Sequence, residues 1–142
     1  MKFKTWLENE DDYRGLHKAP SKEGAPLHDL TNVYPDDIYG PNGARYYGHG
    51  DNSIDNYTIS IIQSARNKPD MPIKIYRSIP KNISNQEKIE INSGDWVTIN
   101  RQYAIMHGES TLHSKYKILT KTVPAKTLYT DGNSIHEWGY NP

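Results

Sequence analysis

Residues 72–79 read PIKIYRSI, and this stretch decides the class of fold. Its apolar side chains alternate with polar ones, which is typical of a β-strand with one buried face. On this alternation Arg77 shares a face with Ile73, Ile75 and Ile79. An arginine on an otherwise apolar strand face is unusual. We therefore treat Arg77 as a candidate functional residue.

A helix is predicted before this strand, because apolar residues recur there at helical spacing. It begins near Asn52 or Ser53 and is stopped by Pro69. The residues that share its apolar face are Ile54, Tyr57, Ile61, Ile62 and Ala65.

Short strands dominate the chain after residue 80. The pattern predicts strands at 95–99, 115–123, 128–130 and 135–140, with a turn at Asp131-Gly132 between the last two. Asn100 is a typical cap for a brief helix, Arg101–His107, that Gly108 would end. One helix early and several strands late predict a mixed α+β fold.

The chain divides into three parts within one predicted domain, 1–142. Residues 1–13 end in an acidic run and are predicted to be a leader. Residues 14–50 are rich in glycine and proline, and 51–142 form the predicted core. The middle part is too aromatic for a linker, so we expect an ordered loop region held by buried tyrosines. Those tyrosines are Tyr34, Tyr39, Tyr46 and Tyr47.

Composition limits the possible functions. The chain has 142 residues, about the size of one domain, and no cysteine, so thiolate zinc sites and cysteine nucleophiles are excluded. Lys plus Arg and Asp plus Glu both number 17. This balance argues against a protein that coats nucleic acid, but it leaves a local basic cleft open. Without a long apolar run, we expect a cytoplasmic protein with no membrane partner.

Three segments of the second half each carry one polar residue with evident chemistry. They are IYR ending at Arg77, GDWVTI with Thr98, and IHEWGY with Glu137. This chain order resembles the ADP-ribosyltransferase fold. More specifically, it resembles the branch of that fold whose motif is an arginine, then a Ser/Thr strand, then a catalytic glutamate. The chain from Arg14 onward is also similar to uncharacterised phage and prophage proteins with the runs APLHDLT and EWGY.

The first resemblance implies a small α+β domain of short strands in two packed sheets, with NAD as co-substrate. Glu137 would hold the ribose 2′-hydroxyl while an oxocarbenium-like state forms, and Arg77 would bind the diphosphate or position the adenosine ribose. Thr98 would brace the glutamate or the nicotinamide ribose. The residues that would line the cofactor site with these are Tyr76, Trp96, Tyr103, Trp138 and Tyr140. The acceptor would be a macromolecule, with a host protein favoured and nucleic acid left open.

Two departures from the family pattern bear on the acceptor. The middle motif has one hydroxyl, Thr98, where the family usually has three. Ile135 stands two residues before Glu137, where many members have a Glu or Gln that engages the acceptor. Because an apolar side chain cannot orient a guanidinium group, the sequence does not favour arginine as the acceptor. We expect instead that the loop residues His28, Asp29 and Arg45 lie at the mouth of the NAD cleft and help to select the acceptor.

Two other functions remain open from the sequence. One is a non-catalytic phage inhibitor that binds a host protein through the tyrosine-rich loop. The other is a metal-dependent hydrolase built on His17, His28 and His49. Their spacing matches no short metal motif, so we predict no metal. If the chain is phage-encoded, the site of action would be the cytosol of a bacterial host.

Overall fold

The structure is a computed structural model that describes residues 19–81, 89–113 and 115–142. The described part is a small α+β domain with three α-helices and two antiparallel sheets, which confirms the predicted fold class. The predicted leader, 1–13, and His17 lie outside the described residues. None of the described helices is long and apolar enough to cross a bilayer.

The described elements are strands, α-helices and short 3₁₀ turns. The strands are β1 (Ala25–Pro26), β2 (Pro72–Pro80), β3 (Trp96–Val97), β4 (Tyr116–Pro124), β5 (Leu128–Thr130) and β6 (Trp138–Tyr140). The α-helices are α1 (Gly43–Tyr47), α2 (Asn52–Ala65) and α3 (Arg101–Thr111). Short 3₁₀ turns occur at Asp36–Tyr39 and Ala125–Thr127.

Within the described residues, a backbone bridge joins the two sheets. One sheet has four strands in the order β1-β5-β6-β3, and the other pairs β2 with β4. Tyr76 of β2 and Thr98, just after β3, exchange two N–H···O bonds of 2.9 Å. Strand β2, which contains Arg77, therefore lies beside the segment of β3 and Thr98. Strand β3 in turn pairs with β6, the strand that follows Glu137.

Helix α2 has the predicted position and a side-chain cap. Asp51 accepts a hydrogen bond from the N–H of Ile54 at 3.2 Å, as an N-cap residue does. The helix ends at Ala65, before the predicted stop at Pro69. Its inner face packs Ile59, Ile62 and Ala65 into the main hydrophobic core.

Three predicted elements have wrong boundaries. The strand predicted at 95–99 covers only Trp96–Val97. Helix α3 does not end at Gly108 but continues to Thr111, and the ring of Tyr116 packs where a side chain at Gly108 would stand. The last strand covers only Trp138–Tyr140, and Ile135, His136 and Glu137 lie before it.

The described part of the loop region, residues 19–50, forms part of the core. Leu27, Leu30 and Ile38 are fully buried, and Tyr34 is nearly so. Tyr39 and Tyr47 pack against the same core. Tyr46 is the exception to the predicted burial of all four tyrosines. The residue is 57% exposed, and its ring meets the ring of Tyr47 edge-on.

Candidate active site

Glu137 is held at the end of the sheet by one tyrosine. The hydroxyl of Tyr103, on α3, donates to Oε2 of Glu137 at 2.6 Å. The glutamate is half-buried, and burial raises its pKa above the ordinary value, although the Tyr103 hydrogen bond acts in the opposite direction. Burial and the nearby carboxylate of Glu137 in turn raise the pKa of Tyr103, so its hydroxyl stays protonated and donates. The site thus contains a desolvated carboxylate in a fixed orientation.

Asn100 fixes the start of α3 and, with it, the position of Tyr103. Its side-chain oxygen accepts from the N–H groups of Gln102 at 3.0 Å and Tyr103 at 3.2 Å, so the predicted cap is confirmed. Its side-chain nitrogen donates to the carbonyl of Ile54 and to Thr58 Oγ1, both at 3.0 Å. Asn100 therefore joins the first turns of α2 and α3.

His136 lies in a buried chain of hydrogen bonds. Its Nε2 is 2.9 Å from Asp55 Oδ1, and its Nδ1 is 2.9 Å from Thr58 Oγ1. An ionised carboxylate can only accept, so Nε2 carries the ring proton and Nδ1 accepts from the threonine hydroxyl. Burial lowers the pKa of His136 although Asp55 acts to raise it. We assign His136 as the neutral imidazole.

Asp55 is buried but fully supplied with donors. The N–H of His49 donates to Oδ1 at 3.0 Å and the N–H of Gly50 to Oδ2 at 2.9 Å. Burial alone would raise the pKa of Asp55, but these bonds and the His136 ring hold it below the ordinary value. Gly48 permits this turn, since a Cβ there would collide with the carboxylate.

An aromatic stack continues the site outward. The rings of Tyr103 and His136 stack with centroids 4.7 Å apart and planes 23° from parallel. The exposed His49 ring stands edge-on to His136, also at 4.7 Å, and its Nε2 is 3.1 Å from Ser134 Oγ. Ser134 Oγ also accepts the N–H of His136 at 3.1 Å. The stack limits the movement of the tyrosine that holds Glu137.

Arg77 is buried under the sheet rather than exposed at a cleft. Only 5% of the residue is accessible, and Nη1 donates to the carbonyl of Trp96 at 3.0 Å. Burial lowers its pKa to about 10, against an opposing contribution from Asp95. In this position Arg77 supports β3 from β2. The predicted contact with a diphosphate would need the guanidinium to leave this site.

Thr98 has a different partner from the one predicted. Its Oγ1 accepts from the N–H of Asn100 at 3.2 Å, and the residue is buried. In the described structure Tyr103, not Thr98, braces Glu137. The sheet nevertheless sets their segments side by side, because Val97, the residue before Thr98, pairs with Trp138, the residue after Glu137.

Four of the five aromatic residues predicted to line the cofactor site are buried. Trp138 is fully buried, with its ring N–H donated to the carbonyl of Ile135 at 2.8 Å, so it offers no face to a ligand. Tyr76, Tyr103 and Tyr140 are between 6% and 8% exposed. Trp96 is half-buried.

The predicted loop residues do not gather at Glu137. The carbonyl oxygen of His28 accepts from the N–H of Asn67, just after the end of α2. Asp55 lies near the start of α2, and His136 is bonded to it there. The ten residues from Asp55 to Ala65 span about 15 Å of helix. The carbonyl of His28 thus lies near the far end of α2 from Asp55, and a role for His28 and Asp29 at the mouth of the site stays a prediction. Arg45 is exposed on α1, three residues before Gly48, which touches Asp55.

A cavity of about 400 Å³ opens beside the site. It is lined by Asn100 and Gln102 from the start of α3, and by Ser53, Ile54 and Tyr57 from α2. Within the described residues, no group of three or more His, Asp or Glu side chains could hold a metal ion.

Sequence reasoning missed the buried chain from Asp55 to Asn100. One signal was present: Asp55 and Thr58 stand three residues apart beside the apolar stripe of α2, where residues at i and i+3 share a face.

Comparison with protein-family models, with curated proteins and with solved structures found no match for this chain.

Proposed function

We propose that this protein is an NAD-dependent ADP-ribosyltransferase with Glu137 as its catalytic carboxylate. The observation that carries the proposal is the half-buried Glu137, oriented by Tyr103 at 2.6 Å, beside the strand of Thr98. The strand of Arg77 follows next in the same lateral order. The order of these three residues across the sheets supports the sequence resemblance.

The chemistry asks for a carboxylate in such an environment. The bond between C1′ of the ribose and the nicotinamide nitrogen breaks, and its electron pair leaves with nicotinamide. Positive charge grows on the sugar, and a carboxylate hydrogen-bonded to the ribose 2′-hydroxyl stabilises that charge more strongly than it stabilises bound NAD. An acceptor atom then bonds to C1′ and releases its proton to water.

Neighbouring residues have positioning roles in this scheme. Tyr103 fixes the carboxylate, and the His136 ring beneath Tyr103 limits its rotation. Arg77 holds the backbone at Trp96, so its effect on NAD is indirect in this conformation. The wider likeness to phage proteins supports a macromolecular acceptor inside a bacterial host.

The rival function, a non-catalytic inhibitor that acts through the tyrosine-rich loop, gains less support. Tyr34, Tyr39 and Tyr47 pack into the core, which leaves Tyr46 as the exposed ring of that group. A loop whose aromatic side chains are used inside the protein has little apolar surface left for a partner.

The test is nicotinamide release and transfer of labelled ADP-ribose into a host lysate. Glu137→Gln is nearly isosteric and keeps the Tyr103 hydrogen bond, so we expect the fold to persist. Turnover should fall by about 10²–10³, the usual effect of losing one preorganised electrostatic contact. Glu23→Gln, at an exposed carboxylate, is the matched control. Equal turnover in wild type and Glu137→Gln, or no turnover in either, would contradict the proposal.

A further inference from the structure

Positive charge is concentrated on one part of this neutral protein. Residues 72–81 and 115–124, which contain the paired strands β2 and β4, have no Asp or Glu. Their cations are Lys74, Lys81, Lys115, Lys117 and Lys121, together with Arg77, which is buried and does not contribute to the surface. Lys81 and Lys115 are adjacent across the strands, with an N–H···O bond of 3.2 Å. This strand pair therefore carries a local excess of positive charge in a chain whose charges balance overall.

A basic cavity lies at the end of this strand pair. It encloses about 450 Å³ between α3 and the start of β4, and Lys81, Arg101 and Lys117 line it. The carboxylate in its wall belongs to Glu109, which is bonded to the Tyr116 hydroxyl. Among the described residues that line the cavity, three are cationic and one is anionic, so their formal charge is net positive and suits phosphate groups.

Arg101 connects this cavity to the candidate active site. It also lines the cavity of about 400 Å³ beside Asn100, whose cap sets the position of Tyr103. Tyr57 stands on the wall of that second cavity with its side chain free to solvent, since the residue is 53% exposed. The two cavities share Arg101, so the cations of the first and the exposed ring of Tyr57 in the second lie on one adjoining surface, and Asn100 lines its second part.

We propose that this surface binds single-stranded nucleic acid as the acceptor of the transfer reaction. Lys81, Arg101 and Lys117 contact phosphates, and a base stacks on Tyr57, which is the combination that single-strand binding sites use. The acceptor role rests on the proposed function, whereas the binding does not. A flat aromatic ring beside cations favours a nucleotide over an acidic peptide, because a peptide carboxylate gains nothing from the ring face.

The test measures binding without NAD. The probe is a labelled single-stranded oligonucleotide of mixed sequence, about 12 nucleotides long, titrated with the full chain at several salt concentrations. Each phosphate contact contributes about 0.7 to the slope of log affinity against log salt, or about fivefold in affinity at 0.1 M salt. We expect Arg101→Gln/Lys117→Gln to weaken binding about 25-fold by this relation, with a shallower salt slope.

Two further variants make the result specific. Tyr57→Ala should weaken binding about tenfold without changing the salt slope, because stacking releases no counterions. The control, Lys22→Gln/Lys68→Gln, removes two exposed lysines elsewhere and should bind like wild type.

Three outcomes would overturn the proposal. One is equal binding by all variants. Another is equally tight binding of an acidic peptide of the same charge, which would make the ligand a protein. The third is competitive displacement of the oligonucleotide by NAD, which would make the cavity part of the dinucleotide site. Oligonucleotide binding with the expected variant effects but no ADP-ribosyl transfer would reject the proposed function while leaving this binding site in place.

Discussion

Tyr103 shows how a single hydroxyl sets the chemistry of this site. Its hydrogen bond to Glu137 favours the ionised carboxylate, while burial favours the protonated form. The net pKa lies above that of a free glutamate. Because ADP-ribosyl transfer needs the carboxylate charged, activity should be full at neutral pH and lost as the pH falls through this raised pKa.

Tyr103→Phe should move that acid limb to higher pH. The substitution keeps the ring stacked on His136 and removes the contact that lowers the pKa of Glu137. A hydrogen bond to a charged group contributes about 1.5–3 kcal/mol, so we also expect a loss of turnover of about tenfold or more. The measurement is nicotinamide release against pH, with Tyr57→Phe as the control. An acid limb that stays in place or moves to lower pH would remove Tyr103 from this role.

Arg77 and Thr98 illustrate a limit of residue-level inference. Residue type correctly marked both as unusual, but it did not give their partners. The guanidinium of Arg77 is bonded to Trp96, and the hydroxyl of Thr98 to Asn100. Both side chains act on backbone within the fold, and the contact to Glu137 comes from Tyr103 on a helix.

At the scale of an element, α3 depends on a glycine in its interior. Gly108 lies within the helix, and a Cβ at that position would overlap the ring of Tyr116. This contact brings α3 against β4. Glycine inside a helix usually costs about 0.5–1 kcal/mol relative to alanine, and here the close packing offsets that cost.

Gly108→Ala should therefore destabilise the protein, which is the reverse of its usual effect in a helix. Overpacking of this kind costs about 1–3 kcal/mol, to be measured as the free energy of unfolding in urea. Ser110→Ala, at an exposed position of the same helix, should stay within about 0.5 kcal/mol of wild type. A more stable Gly108→Ala protein would show that Tyr116 does not fix the helix.

At the scale of the whole molecule, the irregular first third is part of the core. Strand β1 pairs with β5, with Ala25 opposite Thr130. The turn at His49 and Gly50 supplies two of the donors that hold Asp55. Both the hydrophobic core and the polar chain beneath Glu137 thus require residues before α2.

A chain that begins at Asn52 should fail to fold. Burial of Leu27, Leu30 and Ile38 contributes about 1.5–3 kcal/mol each, and together these approach the total stability of a small domain. The expected result is the loss of a cooperative thermal transition by circular dichroism. Arg45→Ala, an exposed change in the same region, should melt like wild type. A cooperative transition near the wild-type temperature in the truncated chain would contradict the assignment of this region to the core.

The sequence alone determined the local elements of this protein. Apolar spacing predicted α2 and β2, Asn100 predicted the start of α3, and the tyrosines predicted an ordered loop. These features depend on neighbours within about ten residues, so the period of the side chains records them. The same reasoning wrongly placed the end of α3 at Gly108. It could not show that Tyr116, from the distant strand β4, packs against that glycine.

Only the tertiary structure decided how the candidate site is built. The bond from Thr58 to His136 joins residues 78 apart in the chain, and that from Asp55 to His136 joins residues 81 apart. A polar residue in a sequence does not state whether it will be buried or which distant group will satisfy it. That pairing is fixed when helices and strands pack, because a buried donor or acceptor must find a partner in the space that remains.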